Sequence, residues 1–186
     1  MTPAIDPSAW IAPSAQLFGA ITIGPEASVW HNAVLRAECC EIRIGRMTNV
    51  QDFVMGHVPY DCSTIVGAFC SIAHHATLHG CTIEDECLVG IGATLMDGVV
   101  LGRGSIVAGG AFVREGTVVP PHSIVAGVPA KVVKSRDCAR ENRLNAWLYH
   151  RNADHYRRGL HRAWEGPEYE AWLVAKRAEI ARDEDR

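Results

Sequence analysis

The fold class this sequence predicts is mainly β: short parallel strands wound as a β-helix, with C-terminal α-helices. Three observations carry that expectation. From Ile5 an aliphatic residue recurs at every sixth position (Ile5, Ile11, Leu17, Ile23, Val29, Leu35), and the recurrence returns as Ile83, Val89, Leu95, Leu101, Val107, Val113, Val119 and Val125. Four places after most of these stands a small or modest residue, as at Ala9, Ala15, Ala27, Ala33, Cys87, Ala93, Ser105 and Ala111. Past Pro129 the repeat stops and helical spacing takes over.

A period of six suits neither an amphipathic helix nor an alternating strand. It suits a short strand plus a corner, repeated on three sides, about 18 residues per coil. The aliphatic residue fills the triangular interior, the small one packs near the corner, and the glycine that often follows (Gly24, Gly90, Gly102) is expected to ease the bend. Coils then stack about 4.8 Å apart. The repeat is interrupted twice. An extra stretch lies around Cys40–Arg43, and Val58–Thr64 reads as a loop pushed out directly after His57.

Beyond the coils, Asp137 to about Arg162 reads as a helix carrying Leu144, Trp147, Leu148, Tyr156 and Leu160, ended by Glu165-Gly166-Pro167. A second helix follows with Tyr169, Trp172, Leu173 and Ile180 on one side. The organisation is therefore a β-helix domain over 1–134 and a helical extension over 135–186, expected to cover an end or flank of the coils and to seal a subunit contact.

Composition narrows the function. A net charge of −3 gives no reason to expect nucleic acid or an acidic membrane surface. The 7 cysteines form no CxxC pair, so neither a disulfide framework nor a thiolate zinc site is indicated; buried thiols in a reducing, cytoplasmic compartment are expected. The N-terminus shows no basic segment followed by an apolar run, and no stretch approaches membrane-spanning length.

Chemistry concentrates in Gly56-His57 and in Ile72-Ala73-His74-His75-Ala76-Thr77-Leu78-His79-Gly80. Neutral imidazole is the commonest ligand for zinc and its neighbours, and three imidazoles with an open position let a metal activate water. Every third repeat returns to one face, so Arg36, His57 and His79, each one place after its lead residue, form a vertical column. Neighbours in it stand roughly 5 Å apart. His74, two places after Ile72, sits on the adjacent face over Asp52. One prism cannot bring all three rings to one ion. The geometry closes if the His74 face of one subunit meets the His57/His79 face of the next, a heterologous contact that closes into a homotrimer. The bland alternative is three exposed solenoid histidines. His31, His122, His150, His155 and His161 read as surface or helix residues.

The motifs Leu35-Arg36-Ala37-Glu38, Asn49-Val50-Gln51-Asp52, Gly56-His57, Ala73-His74 and Leu78-His79-Gly80-Cys81 resemble the γ-class carbonic anhydrases, hexapeptide-repeat proteins. The resemblance spans about Ile5 to Lys134 and implies a left-handed parallel β-helix. It implies that His57 and His79 of one subunit and His74 of its neighbour bind zinc, or iron or cobalt. It makes Arg36 and Asp52 interface salt-bridge partners and Gln51 the residue orienting metal-bound water. Tyr156 is similar to a helix tyrosine that reaches the site in some relatives. The chain departs from the family pattern where Arg36-Ala37-Glu38 replaces Arg-Gly-Asp, with Glu38 still able to pair with arginine. Cys39 and the short Val58–Thr64 loop stand where active members carry proton-shuttling acids. Asp61, Tyr60 and His75 are candidates for that role, although each reads better as a solvated residue.

The activity so implied is reversible hydration of carbon dioxide to bicarbonate, slowed by weak proton export, with Phe53, Val54 and Met55 as an apolar wall. Three rivals stand beside it: a metal-dependent acyl-coenzyme A thioesterase, a coenzyme A-dependent hexapeptide acyltransferase suggested by Val125-Ala126-Gly127-Val128-Pro129-Ala130-Lys131, and a non-catalytic assembly subunit.

Overall fold

A computed structural model of the chain describes residues 2–183. Its strands form three stacks of parallel, hydrogen-bonded rungs. One face carries Met55–His57, Thr77–His79, Thr94–Leu95 and Phe112–Val113 in register. The next carries Thr64–Val66, Thr82–Ile83, Val100–Leu101 and Val118–Val119. The third runs from Trp10–Ile11 through Asn49–Val50 and Ser71–Ile72 to Ser123–Gly127, where an antiparallel strand, Ala130–Ser135, closes it. The lead aliphatic residues point inward: Val29, Val50, Ile72, Leu78, Val89, Leu95, Leu101 and Val107 are all essentially inaccessible. Each such burial contributes about 1.5–3 kcal/mol, which lets two-residue strands persist.

Most corners turn through a left-handed backbone, three places after the lead residue. There φ is positive at Glu26, Asn32, Met47, Phe53, Phe69, His75, Glu86 and His122, and at Gly92, Gly98, Gly104, Gly110 and Gly116. The glycine directly after the lead residue therefore has a different role from the one expected of it. A methyl on Gly90 would stand 2.6 Å from the Gly109 amide nitrogen, so that glycine permits close approach of successive coils.

The interruption around Cys40–Arg43 is not a break in structure. Val34–Ile44 is one strand that passes through the corner between the first two faces, as Gln16–Ile23 does beneath it. Of the expected loop Val58–Thr64 only 59–63 leave the coil: Val58 is buried in the core and Thr64 already opens the paired strand Thr64–Val66. All irregular steps share this corner: Leu35 to Ile44 and Gly56 to Val66 are longer than the repeat, and Leu78 to Ile83 is shorter.

Two helices complete the chain, α1 (Ala139–Arg157) and α2 (Pro167–Asp183). The expected helix to Arg162 ends earlier, because Gly159 takes φ +74 and Arg158 and Gly159 cap the last turn by donating to His155 and Tyr156 carbonyls. Leu160 is thus outside the helix and half exposed, and Pro167 opens α2 rather than ending α1. Helix α1 lies on the flank of the third face through Ala139, Asn142, Ala146, Tyr149 and Ala153, spaced alternately by three and four residues. The larger Trp147 and Arg151 turn to α2, where Lys176 and Trp172 stack on them. Among the described residues no helix is long and apolar enough to cross a membrane.

Candidate metal centre

The column expected from the repeat is present. Leu35 pairs with Gly56 and Leu78 with Gly56, which sets Arg36 beside His57 and His57 beside His79. The rings of His57 and His79 lie 5.1 Å apart between centroids, with His57 Nδ1 3.0 Å from His79 Nε2. Two imidazole nitrogens on one tetrahedral zinc stand about 3.3 Å apart, given Zn–N bonds of about 2.0–2.1 Å.

Each outer ring nitrogen faces a carboxylate. Glu38 Oε2 is 3.2 Å from His57 Nε2, and Asp97 Oδ1 hydrogen-bonds to His79 Nδ1. The line Glu38–His57–His79–Asp97 therefore has three gaps between acceptor atoms, while two neutral imidazoles bring two protons. With the outer nitrogens donating to the carboxylates, the inner lone pairs face one another and call for a cation between them. This donor set, two carboxylate-backed imidazoles, fits zinc and its borderline neighbours.

Arg36 Nη1 pairs with Glu38 Oε1 in the same chain. Partial burial pushes the Glu38 carboxyl up, but the Arg36 hydrogen bond and charge outweigh it and, with His57, hold Glu38 below its ordinary range. Asp52 does not meet Arg36 within one chain; its Oδ2 lies 3.0 Å from His74 Nδ1. The other nitrogen of His74, Nε2, is 3.4 Å from the Tyr149 hydroxyl.

Tyr156 lies elsewhere. Its ring packs on Trp30 at 5.1 Å and His161 at 4.6 Å, in a satellite cluster with Trp10. Thus α1 brings Tyr149, two turns earlier, to the His74 of its own chain. Gln51 is buried beneath α1 and donates through Nε2 to Asn49 Oδ1 at 2.9 Å; Asn49 in turn donates to Ser71 Oγ, which also accepts from Asn145. Of the expected apolar wall, Val54 belongs to the core, Met55 shares the His57 strand, and Phe53 stacks on His75 at 4.9 Å. Among the described residues of one chain, no group of three or more His, Cys, Asp or Glu side chains converges to hold a metal.

Two residues escaped the sequence reading. Asp97 was legible in principle, since it stands two places after Leu95, one coil above His79. Tyr149 was not, because a six-residue count says nothing about the rotation of α1.

Parallel coils with outward imidazoles define a hexapeptide-repeat β-helix protein. Residues 80–115 match the family described as bacterial transferase hexapeptide (six repeats). The chain is 48% identical over 124 residues to a probable carbonic anhydrase of Methanocaldococcus jannaschii, covering 67% of this chain and 78% of that one. It is 41% identical over 138 residues to the mitochondrial γ carbonic anhydrase 1 of Arabidopsis thaliana, covering 71% of this chain and 50% of the plant protein. The chain thus spans about half the length of such plant relatives. Among solved structures, a hexapeptide transferase family protein from Anaplasma phagocytophilum superposes with a TM-score of 0.79 at 33% identity, over 83% of this chain and 92% of that one. The chain belongs to the γ-carbonic anhydrase family.

Proposed function

We propose that the chain is a metal-dependent, γ-type carbonic anhydrase of the cytoplasm that interconverts carbon dioxide and bicarbonate between subunits of a homotrimer. The observation that carries this reading is the His57–His79 pair, nitrogen to nitrogen at 3.0 Å with a carboxylate behind each ring. His74 of a neighbouring copy supplies the third ligand. Bound there, zinc (or iron or cobalt) supplies the charge that brings the pKa of water to near neutrality.

The chain's own groups do the rest. Asp97 and Glu38 hold the outer protons of His79 and His57, fixing both tautomers. Gln51, fastened through Asn49, orients the attacking water, and the Met55 side gives carbon dioxide an apolar approach. In the assembled trimer Arg36 and Asp52 meet across the contact. Arg36 and His57 engage both oxygens of Glu38 and favour its ionised form, so Glu38 acts by positioning the His57 ring.

Metal analysis of protein purified without added metal tests the reading. Expected are roughly one zinc per chain at a trimeric mass and carbon dioxide hydration by stopped flow, with both metal and activity lost in His57→Ala, His74→Ala and His79→Ala. A metal-free monomer would overturn it. The likeness to a hexapeptide transferase family protein favours acyl transfer as a second reading, and acetyl transfer by metal-free protein would select it. Hydrolysis of an acyl-coenzyme A by metal-loaded protein that leaves carbon dioxide untouched would select the thioesterase.

A further inference from the structure

One chain by itself leaves a large apolar side chain exposed on each of the two ligand columns. Ile91 is 60% exposed and stands one coil above His74, since Val89 pairs with Ile72 and the Gly92 amide donates to the His74 carbonyl. Phe18 is 51% exposed and pairs with Arg36, which pairs with His57. Ile91 rises from bare backbone. Gly92 beside it faces open space, and the next member of its column is Gly109, which has no side chain to cover it. An exposed aliphatic residue on a glycine floor is a surface that another surface can approach closely.

In a closed ring of three the subunits are related by rotation alone. With the coils parallel to the three-fold axis, a residue therefore keeps the same height in every copy. The chain climbs one coil, about 4.8 Å, from His57 to His79, and His74 lies between them in that climb. It reaches both rings of a neighbour with no shift along the axis. By the same climb Asp52 stands between the heights of Arg36 and His57, and His31 between those of Phe18 and Arg36. Ile91 stands between the heights of His79 and Met96, which follow one another up the column.

We propose that Ile91 of each subunit packs on Met96 of its neighbour and closes the upper side of the metal site with a dry, apolar contact. This contact rests on the homotrimer proposed above and adds to it the residue pair that sets its register. Met96 suits the role: it is unbranched, half-buried and next to Asp97, which holds His79. Below the ligands Phe18 meets the neighbour's His31, whose ring already lies 6.0 Å from those of Trp10 and Tyr156. Apolar contacts thus bracket the ion pair and the histidines from both ends and keep water from the polar groups between them.

Paired cysteines test the register in the full-length chain, with the exposed Cys39 first changed to serine. Under mild oxidation Ile91→Cys/Met96→Cys is expected to run as a covalent trimer on a denaturing gel, because a closed ring joins each copy to the next. Ile91→Cys/Arg114→Cys sets the second thiol one coil higher and should give at least about tenfold less, since a disulfide needs Cα atoms within about 7 Å. Ile91→Asp should sediment as a monomer at concentrations where the parent and Ile91→Leu are trimers, with an unchanged circular dichroism spectrum. Three results would each overturn the contact in a parent that is a zinc-bound trimer: equal cross-linking by both cysteine pairs, cross-linking by neither, or an Ile91→Asp variant as trimeric as the parent. Each leaves the carbonic anhydrase reading standing. A parent that is a metal-free monomer sinks both.

Discussion

The Tyr149 hydroxyl lies 3.4 Å from His74 Nε2, while Asp52 Oδ2 holds the opposite ring nitrogen at 3.0 Å. One imidazole is thus gripped from α1 on one side and from the preceding coil on the other. With Nδ1–H donating to Asp52 and the phenol donating to Nε2, the neutral ring is satisfied. The metal-binding nitrogen of the proposed third ligand is capped by a tyrosine that must swing aside when an ion arrives. Tyr149→Phe is expected to raise zinc affinity a few-fold, read by competition with a chelator.

The same phenol gives a pH dependence. Burial, with the Asp52 charge adding to it, pushes Tyr149 up to about 12. An acid whose pKa rises on folding stabilises the fold below its unfolded value of about 10, and that contribution is lost as pH climbs toward about 12. The parent should therefore lose up to about 2 kcal/mol more than Tyr149→Phe between those limits. Urea denaturation of both proteins at stepped alkaline pH checks the difference.

Asp97 sits behind His79 as Glu38 sits behind His57. Asp97→Asn keeps the shape and removes the charge that fixes the ring. Zinc affinity should fall roughly 10–100-fold, with little change in melting temperature of the metal-free protein. An unchanged affinity would remove Asp97 from the site.

The two kinds of glycine should behave differently. Gly90 lies against the Gly109 backbone, so Gly90→Ala forces two coils apart and should cost several kcal/mol or prevent soluble expression. Gly92 has φ +67 and open space around it, so Gly92→Asn should cost no more than about 1 kcal/mol. Denaturant titration of the pair distinguishes close approach from corner geometry.

Thiol chemistry should follow burial. Cys39 is exposed, whereas Cys70, Cys81, Cys87 and Cys138 are buried. Burial pushes the Cys81 thiol to about 12 and raises Cys70 as well. Iodoacetamide at neutral pH should label Cys39 in the native protein and reach those four only after unfolding, as peptide mass mapping would show.

The repeat made most of this fold readable before any coordinates. Lead positions such as Val50, Ile72 and Leu78 are interior, and the count from them set His79 beside His57. The corners were misread because the left-handed residue is Phe53 or His75 in the lower coils and glycine only in the upper ones. No single residue type marks the bend. Helix α1 was misjudged for another reason. Its buried stripe is mostly small or polar, Ala146 and Asn142 among it, with Tyr149 its one large ring, so Trp147 and Leu148, which caught the eye, belong to its other sides. Glu38 was foreseen as an arginine partner, while its bond to His57 needed the path of the Val34–Ile44 strand.

Length variation is confined to the edge between the first and second faces, where Leu35–Ile44 and Gly56–Val66 run long and Leu78–Ile83 runs short. Backbone pairing locks on again immediately after each excursion, so the rungs bearing the imidazoles never feel it. Loop closure costs only about 0.6 kcal/mol per doubling of length. That edge is accordingly the place where an entrance can be rebuilt, by descent or by engineering, without disturbing the histidine column: segments grafted between His57 and Thr64 would change what reaches the proposed metal centre and leave the centre itself alone.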